Sequence, residues 1–153
     1  MKPLETTPEE VLRDAIQSEV DARAFYQEMA RRAATPAVRK RMLELGDNEL
    51  VHRAKLERRY REVVGQAPPE PRAGKADLPP DLDRIELSQA LKLALERERD
   101  SESNFRFMAE RVPSTTDLGR LFSELAEIEW KHKTDLQAEY DTTVAPDQFL
   151  IDI

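Results

Sequence analysis

The stretch Met42-Leu43-Glu44-Leu45-Gly46-Asp47-Asn48-Glu49-Leu50-Val51-His52-Arg53-Ala54-Lys55-Leu56 decides how this chain folds. Apolar residues recur at alternating steps of three and four, through Val38, Met42, Leu45, Leu56 and Val63. That spacing marks the buried stripe of an amphipathic helix. Glu49 and His52 fall in the middle of the stripe, where apolar side chains belong. Residues i and i+3 lie on one helix face, so this carboxylate and imidazole stand side by side on the buried surface.

Three more helices carry the same interruption. The seam Leu118, Phe122, Leu125 and Leu136 is broken by Glu129 and His132. Leu12, Ile16, Tyr26 and Ala30 form a seam broken by Glu19, and Leu91, Leu95, Phe105 and Val112 one broken by Glu98. The chain's only two histidines therefore sit in two of the four seams.

The punctuation sets the topology. Thr7-Pro8-Glu9-Glu10 supplies a Thr cap, a proline in the first turn and early acidic residues, and Thr35-Pro36 repeats the start signal. These predict helices over about 7–34 and 35–65. A third begins near Ser88 and stops before Pro113, and a fourth, capped by Ser114 or Thr115, runs to about Tyr140. Five of the ten prolines fall within 66–86, the one long connection. Short, long, short connections predict two antiparallel helical hairpins joined by a crossover. At roughly 3.3 Å per extended residue the linker could span the length of a bundle. The expected architecture is an all-α antiparallel four-helix bundle over 1–140, with 141–153 a tail bearing the apolar cluster Phe149-Leu150-Ile151.

The hairpins also look like copies. Ala15 to Asp21 aligns with Ala94 to Asp100 at an offset of 79, and Leu45, Glu49 and His52 align with Leu125, Glu129 and His132 at an offset of 80. The likeness concentrates at inward positions and predicts a pseudo-twofold relation between hairpins.

Composition narrows the function. A net charge of −7, with 31 acidic and 24 basic residues, argues against a nucleic-acid partner. The absence of cysteine excludes disulfides, thiolate zinc sites and iron–sulfur clusters. No apolar run reaches the roughly 20 residues of a membrane span, and the N-terminus lacks a signal-peptide pattern, so a cytoplasmic protein is expected.

Burying four carboxylates together costs several kcal/mol per charge unless cations compensate. Two divalent ions would balance four glutamates, with the imidazoles as neutral nitrogen donors. A lone Glu-x-x-His is usually surface decoration. Two such pairs with a matched Glu on each partner helix point to a two-metal centre held by Glu19, Glu49, His52, Glu98, Glu129 and His132. Mixed oxygen and nitrogen ligands suit Fe(II), Mn(II) or Zn(II).

These residues make the chain similar to the ferritin-like di-metal carboxylate proteins, whose ligand pattern is a Glu from each of two helices and a Glu-x-x-His from each of the other two. Ala94-Leu95-Glu96-Arg97-Glu98 and the Glu19 to Phe25-Tyr26 spacing resemble the rubrerythrin-type domain, over about residues 8–140. The resemblance implies two iron ions and a non-haem oxidoreductase that reacts with peroxide or dioxygen, as a peroxidase or an oxidase. It implies that Tyr26 hydrogen-bonds a ligand carboxylate and relays an electron or proton, the alternative being a core aromatic with a satisfied hydroxyl; Phe105 stands at the matched position. Three departures qualify it. No rubredoxin-type cysteines are present, so a separate electron-donor protein is implied. The additional redox-switching Glu of the third helix has no counterpart beyond a weak substitute in Glu102. The six-ligand set is similar to that of bacterioferritin, but Leu50 replaces the haem-ligating Met, so no haem is expected. A ferroxidase or iron-storage subunit of a larger assembly, and a non-catalytic metal-stabilised bundle, remain alternatives. A homodimer is expected, with exchange of hairpins through 66–86. Arg23, one turn from Glu19, reads as a solvated edge residue, with a charge partner beside the ligands as the alternative, and Trp130 reads as a packing residue facing away from the metal.

Overall fold

A computed structural model of the protein describes the backbone of residues 6–151 and the side chains of residues 6–144. Among these, four helices occur: α1 (Pro8–Arg31), α2 (Pro36–Val64), α3 (Leu87–Ala109) and α4 (Asp117–Ile151). The fold is all-helical, and the helices pair as α1 with α2 and α3 with α4. The only β feature among the described residues is an isolated bridge between Ala33 and Ile85. No helix there is long and apolar enough to cross a membrane. The chain divides into two compact units, residues 6–86 and the segment from Leu87 onward.

Local chemistry explains the boundaries. Thr7 caps α1 by accepting a hydrogen bond from the Glu10 amide, and Thr35 caps α2 through the Val38 amide. Helix α2 stops at Gly65, whose φ of 83° is the left-handed conformation that glycine adopts without penalty. At α4 the cap is Thr116, not Ser114 or Thr115: its hydroxyl oxygen accepts from the Gly119 amide at 3.0 Å. Helix α4 also continues to Ile151, beyond its expected end near Tyr140. The Phe149-Leu150-Ile151 side chains lie outside the described residues.

The first unit is a hairpin with a strap. Its core includes Leu12, Ile16, Phe25 and Met29 of α1 and Val38, Met42, Leu56 and Tyr60 of α2. The α2 stripe closes on Tyr60, and Val63 is exposed. A straight helix turns 3.6 residues per cycle, so a strict three-four pattern drifts off the contact face. Buried Tyr60 donates a hydrogen bond to Glu9 at 2.9 Å, tying the end of α2 to the start of α1.

Linker 66–86 then runs back along α1. Gln17 holds the Arg72 backbone from both sides, accepting from its amide at 2.9 Å and donating to its carbonyl at 3.3 Å. Asp21 accepts from the Lys75 amide, and Arg32 donates to the Pro79 and Leu82 carbonyls. Ile85 is fully buried; its amide donates to the Arg32 carbonyl, and its carbonyl accepts from the Ala34 amide. Gly74 lets the strap lie flat: a Cβ there would stand 2.7 Å from the Val20 carbonyl and 2.9 Å from the Ala24 Cβ.

The second unit packs Ala90, Leu91, Ala94 and Leu95 of α3 together with Leu121, Phe122, Leu125, Ala126 and Leu136 of α4. Gly74→Val should lift the strap from α1 while leaving both hairpins helical. Limited proteolysis should then cut within 66–86 well before it cuts the parent protein, at unchanged far-ultraviolet circular dichroism. Equal cleavage rates would show that the strap does not depend on that contact.

Candidate metal centre

Each hairpin buries the acidic residues that interrupt its seam. Glu19 and Glu49 are 7% and 5% exposed, and Glu98 and Glu129 are each 9% exposed. Single glutamates are almost never this buried unless they are paired or bind a cation.

In the first hairpin, α1 supplies Glu19 and α2 supplies Glu49 and His52. His52 Nδ1 stands 3.3 Å from Glu49 Oε2 and 3.7 Å from Glu19 Oε2. In the second, α3 supplies Glu98 and α4 supplies Glu129 and His132. His132 Nδ1 stands 3.6 Å from Glu98 Oε2 and 3.8 Å from Glu129 Oε2. Within each trio, one ligand atom per residue lies within 4.8 Å of the other two. Ligands about 2.1 Å from one metal stand roughly 3.0–3.4 Å apart in a tetrahedral or octahedral shell. The imidazole–carboxylate distances fit one cation per trio after adjustments of a few tenths of an ångström. Glu98 Oε2 is buried and within hydrogen-bond distance of no donor, with His132 Nδ1 at 3.6 Å beside it, and a cation would satisfy it.

Electrostatics in the second trio point the same way. Burial raises Glu98 to about 8, the neighbouring Glu129 carboxylate adds to the rise, and His132 opposes it. For His132, burial acts downward, but the Glu129 and Glu98 carboxylates outweigh it and lift the imidazole to about 10. Protons thus occupy this trio near neutrality when no metal is bound.

The sequence reading named six residues, and the structure brings them together as two trios, one per hairpin. Tyr26 is buried on α1, edge-on to Phe25, with ring centroids 5.7 Å apart. Trp130 is 45% exposed, as a residue turned from the trio should be. Arg23 departs from the solvated-edge reading and lies beside the ligands, as its alternative reading has it. Its Nε is buried and lacks a hydrogen-bond partner, and the residue lines a cavity of about 190 Å³ together with Glu19 and Glu49. Glu102 is also better defined than its sequence suggested. It is buried, with one oxygen 2.5 Å from Lys133 Nζ and the other 2.6 Å from Arg106 Nε. Lys133 and then Arg106 hold its carboxyl below the usual range. Both oxygens being engaged, Glu102 does not stand ready as an additional ligand.

The family model described as Rubrerythrin matches residues 10–140. The chain belongs to the rubrerythrin family. It is also similar to a solved structure described as a hypothetical protein from Pyrococcus furiosus, at 26% identity and a TM-score of 0.58, covering 90% of each chain. No curated protein matches it. Membership in the rubrerythrin family and the paired carboxylate–imidazole trios together indicate a ferritin-like domain with a candidate metal site.

Because Glu98 and His132 are raised, their proton-bound forms stabilise the metal-free fold below about pH 4.5 and 6.5, and that stability drains away as pH rises through about 8 and 10. Metal must displace these protons. Binding of a divalent ion at pH 7 should release at least one proton per chain, seen as a calorimetric enthalpy that varies with buffer ionisation heat, and affinity should rise from pH 6 to 8. A buffer-independent enthalpy and a flat affinity profile would contradict the assigned protonation.

Proposed function

We propose that this rubrerythrin-family chain is a di-iron oxidoreductase that reacts with peroxide or dioxygen. One iron ion would be held by Glu19, Glu49 and His52, and the other by Glu98, Glu129 and His132. The observation that carries this reading is the repetition of one buried trio in both hairpins of a chain from this family. Two iron ions supply two one-electron redox equivalents, enough for the two-electron reduction of peroxide.

The side chains supply the rest. The four carboxylates would neutralise two divalent ions. The imidazoles add neutral donors that cost no further charge. Burial at 9% exposure or less keeps bulk water from competing for the glutamates and strengthens every electrostatic interaction within the trios. Tyr26, buried and two turns beyond Glu19 on the same helix, would hydrogen-bond a ligand carboxylate or relay a proton or electron in this reading. None of the 153 residues is a cysteine, so in this reading electrons come from a donor outside them, and a separate protein is the donor proposed.

The protein would work in the cytoplasm as a homodimer, with hairpin exchange through 66–86 as one route to pairing. Leu50 and Trp130 support a subunit contact. They occupy matched positions just after Glu49 and Glu129, are large and apolar, and are 42% and 45% exposed.

Anaerobic Fe(II) loading should reach two ions per chain. Added peroxide should then produce a near-ultraviolet ferric absorption, with turnover when a reductant is present. Glu19→Ala and Glu129→Ala should each abolish turnover, by at least about a hundredfold given the cost of losing a metal ligand. Binding that raises the melting temperature without any ferric absorption would leave a metal-stabilised bundle and remove the redox role.

A further inference from the structure

The hairpin repeat exposes a difference that the matched trios conceal. At the offsets that align the two trios, Arg23 corresponds to Glu102, Gln27 to Arg106, and Arg53 to Lys133. In the second hairpin these three positions form a closed cluster, in which the Glu102 carboxylate takes both Lys133 and Arg106. In the first hairpin the same three residues line the cavity beside Glu19 and Glu49, with Gly74 of the strap on its wall. There the position of the internal carboxylate is filled by a second cation. Arg23 Nε is buried and without a hydrogen-bond partner, and Arg53 meets a carboxylate at Glu57, 3.6 Å away.

We propose that this cavity binds a small oxyanion, which takes beside Arg53 the role that the Glu102 carboxylate plays beside Lys133, with Arg23, at Glu102's own position, as a second cation. Three features carry the assignment: a cavity, two arginines among its lining residues, and a repeat in which Lys133, the residue matched to Arg53, pairs with a carboxylate. Guanidinium groups bind phosphate and carboxylate oxygens through charge-assisted, often paired, hydrogen bonds. The volume of about 190 Å³ is far above the roughly 10–15 Å³ that a single water requires, so a tetrahedral or planar oxyanion can enter. Gln27 adds an amide donor to the lining. The Glu19 and Glu49 carboxylates on the same wall repel an anion when bare. A cation held by them removes that repulsion, so affinity is higher in the metal-loaded chain, although the arginine pair does not need the metal.

Inorganic phosphate and acetate, as probes of the two oxyanion shapes, can be titrated calorimetrically into the full chain, once stripped by chelator and once loaded with Mn(II). Saturable binding of either probe at one site per chain is expected, tighter in the loaded form. Arg23→Glu installs the carboxylate that the second hairpin already has. It should weaken binding at least tenfold and, in the Mn(II)-loaded chain where the cation offsets Glu19 and Glu49, raise the melting temperature, because the introduced carboxylate would pair with Arg53. Arg53→Gln should also weaken binding, and serves if the first variant fails to fold. Failure to load metal counts against the metal reading alone, because the stripped chain still tests the anion site. Absence of saturable binding in both forms, or binding that persists in Arg23→Glu and Arg53→Gln at parent affinity, overturns the proposal as adventitious anion binding.

Discussion

Everything in this fold answers to the cost of burying carboxylates. Glu19, Glu49, Glu98 and Glu129 are almost as inaccessible as the leucines around them. An ionised carboxylate without compensation costs several kcal/mol in such a place. A marginal domain stability of about 5–15 kcal/mol cannot carry four such residues. The metal-free chain meets the demand in its second hairpin with protons, because burial raises Glu98 and the Glu129 and Glu98 carboxylates raise His132. A divalent cation meets it better, because it neutralises two carboxylates and accepts an imidazole lone pair together. In the proposed reading, the ion that relieves this electrostatic cost is also the redox cofactor.

The repeat divides what is fixed from what can vary. The trios coincide between hairpins because helix geometry leaves few alternatives: a Glu-x-x-His on one helix and a Glu facing it on the next. One turn away the constraint relaxes, and charges differ. The second hairpin closes itself with Glu102, Lys133 and Arg106. The first leaves Arg23 and Arg53 around a cavity, with the strap on its wall. One turn from the trio, the second hairpin thus carries an ion-paired carboxylate where the first carries an arginine on a cavity wall.

Local rules made much of this legible. The Thr-Pro starts at Thr7 and Thr35, the stop at Gly65 and the two trios all follow from propensity, capping and periodicity. What escaped depended on contacts distant in sequence or on small competitions. Thr116 outcompeted Ser114 and Thr115 as a cap because its hydroxyl both receives the Gly119 amide and donates to the Pro113 carbonyl. Tyr60 replaced Val63 on the buried face because helical drift accumulates along α2 and Glu9 offers its hydroxyl a partner. Helix α4 passes Tyr140 without a breaker until Pro146, and one late proline did not fix its end. The course of the strap rested on side chains of Gln17, Asp21 and Arg32 that no motif marks as backbone holders.

Arg23 shows why the cavity was hidden in particular. Read alone, an arginine one turn beyond Glu19 is an ordinary edge residue, since long cationic side chains usually reach water. The strap changes its surroundings: Gly74 brings backbone against Val20 and Ala24, on the same stretch of α1, and walls in space that a bare hairpin would leave open. A glycine in a proline-rich linker and an arginine on a distant helix thus define one site between them. Neither residue carries that information by itself, whereas the Glu-x-x-His pairs carry theirs in four consecutive positions. Legibility here tracks the sequence distance over which a contact is made: caps and Glu-x-x-His pairs are local, while the cavity comes into being only when the linker folds back.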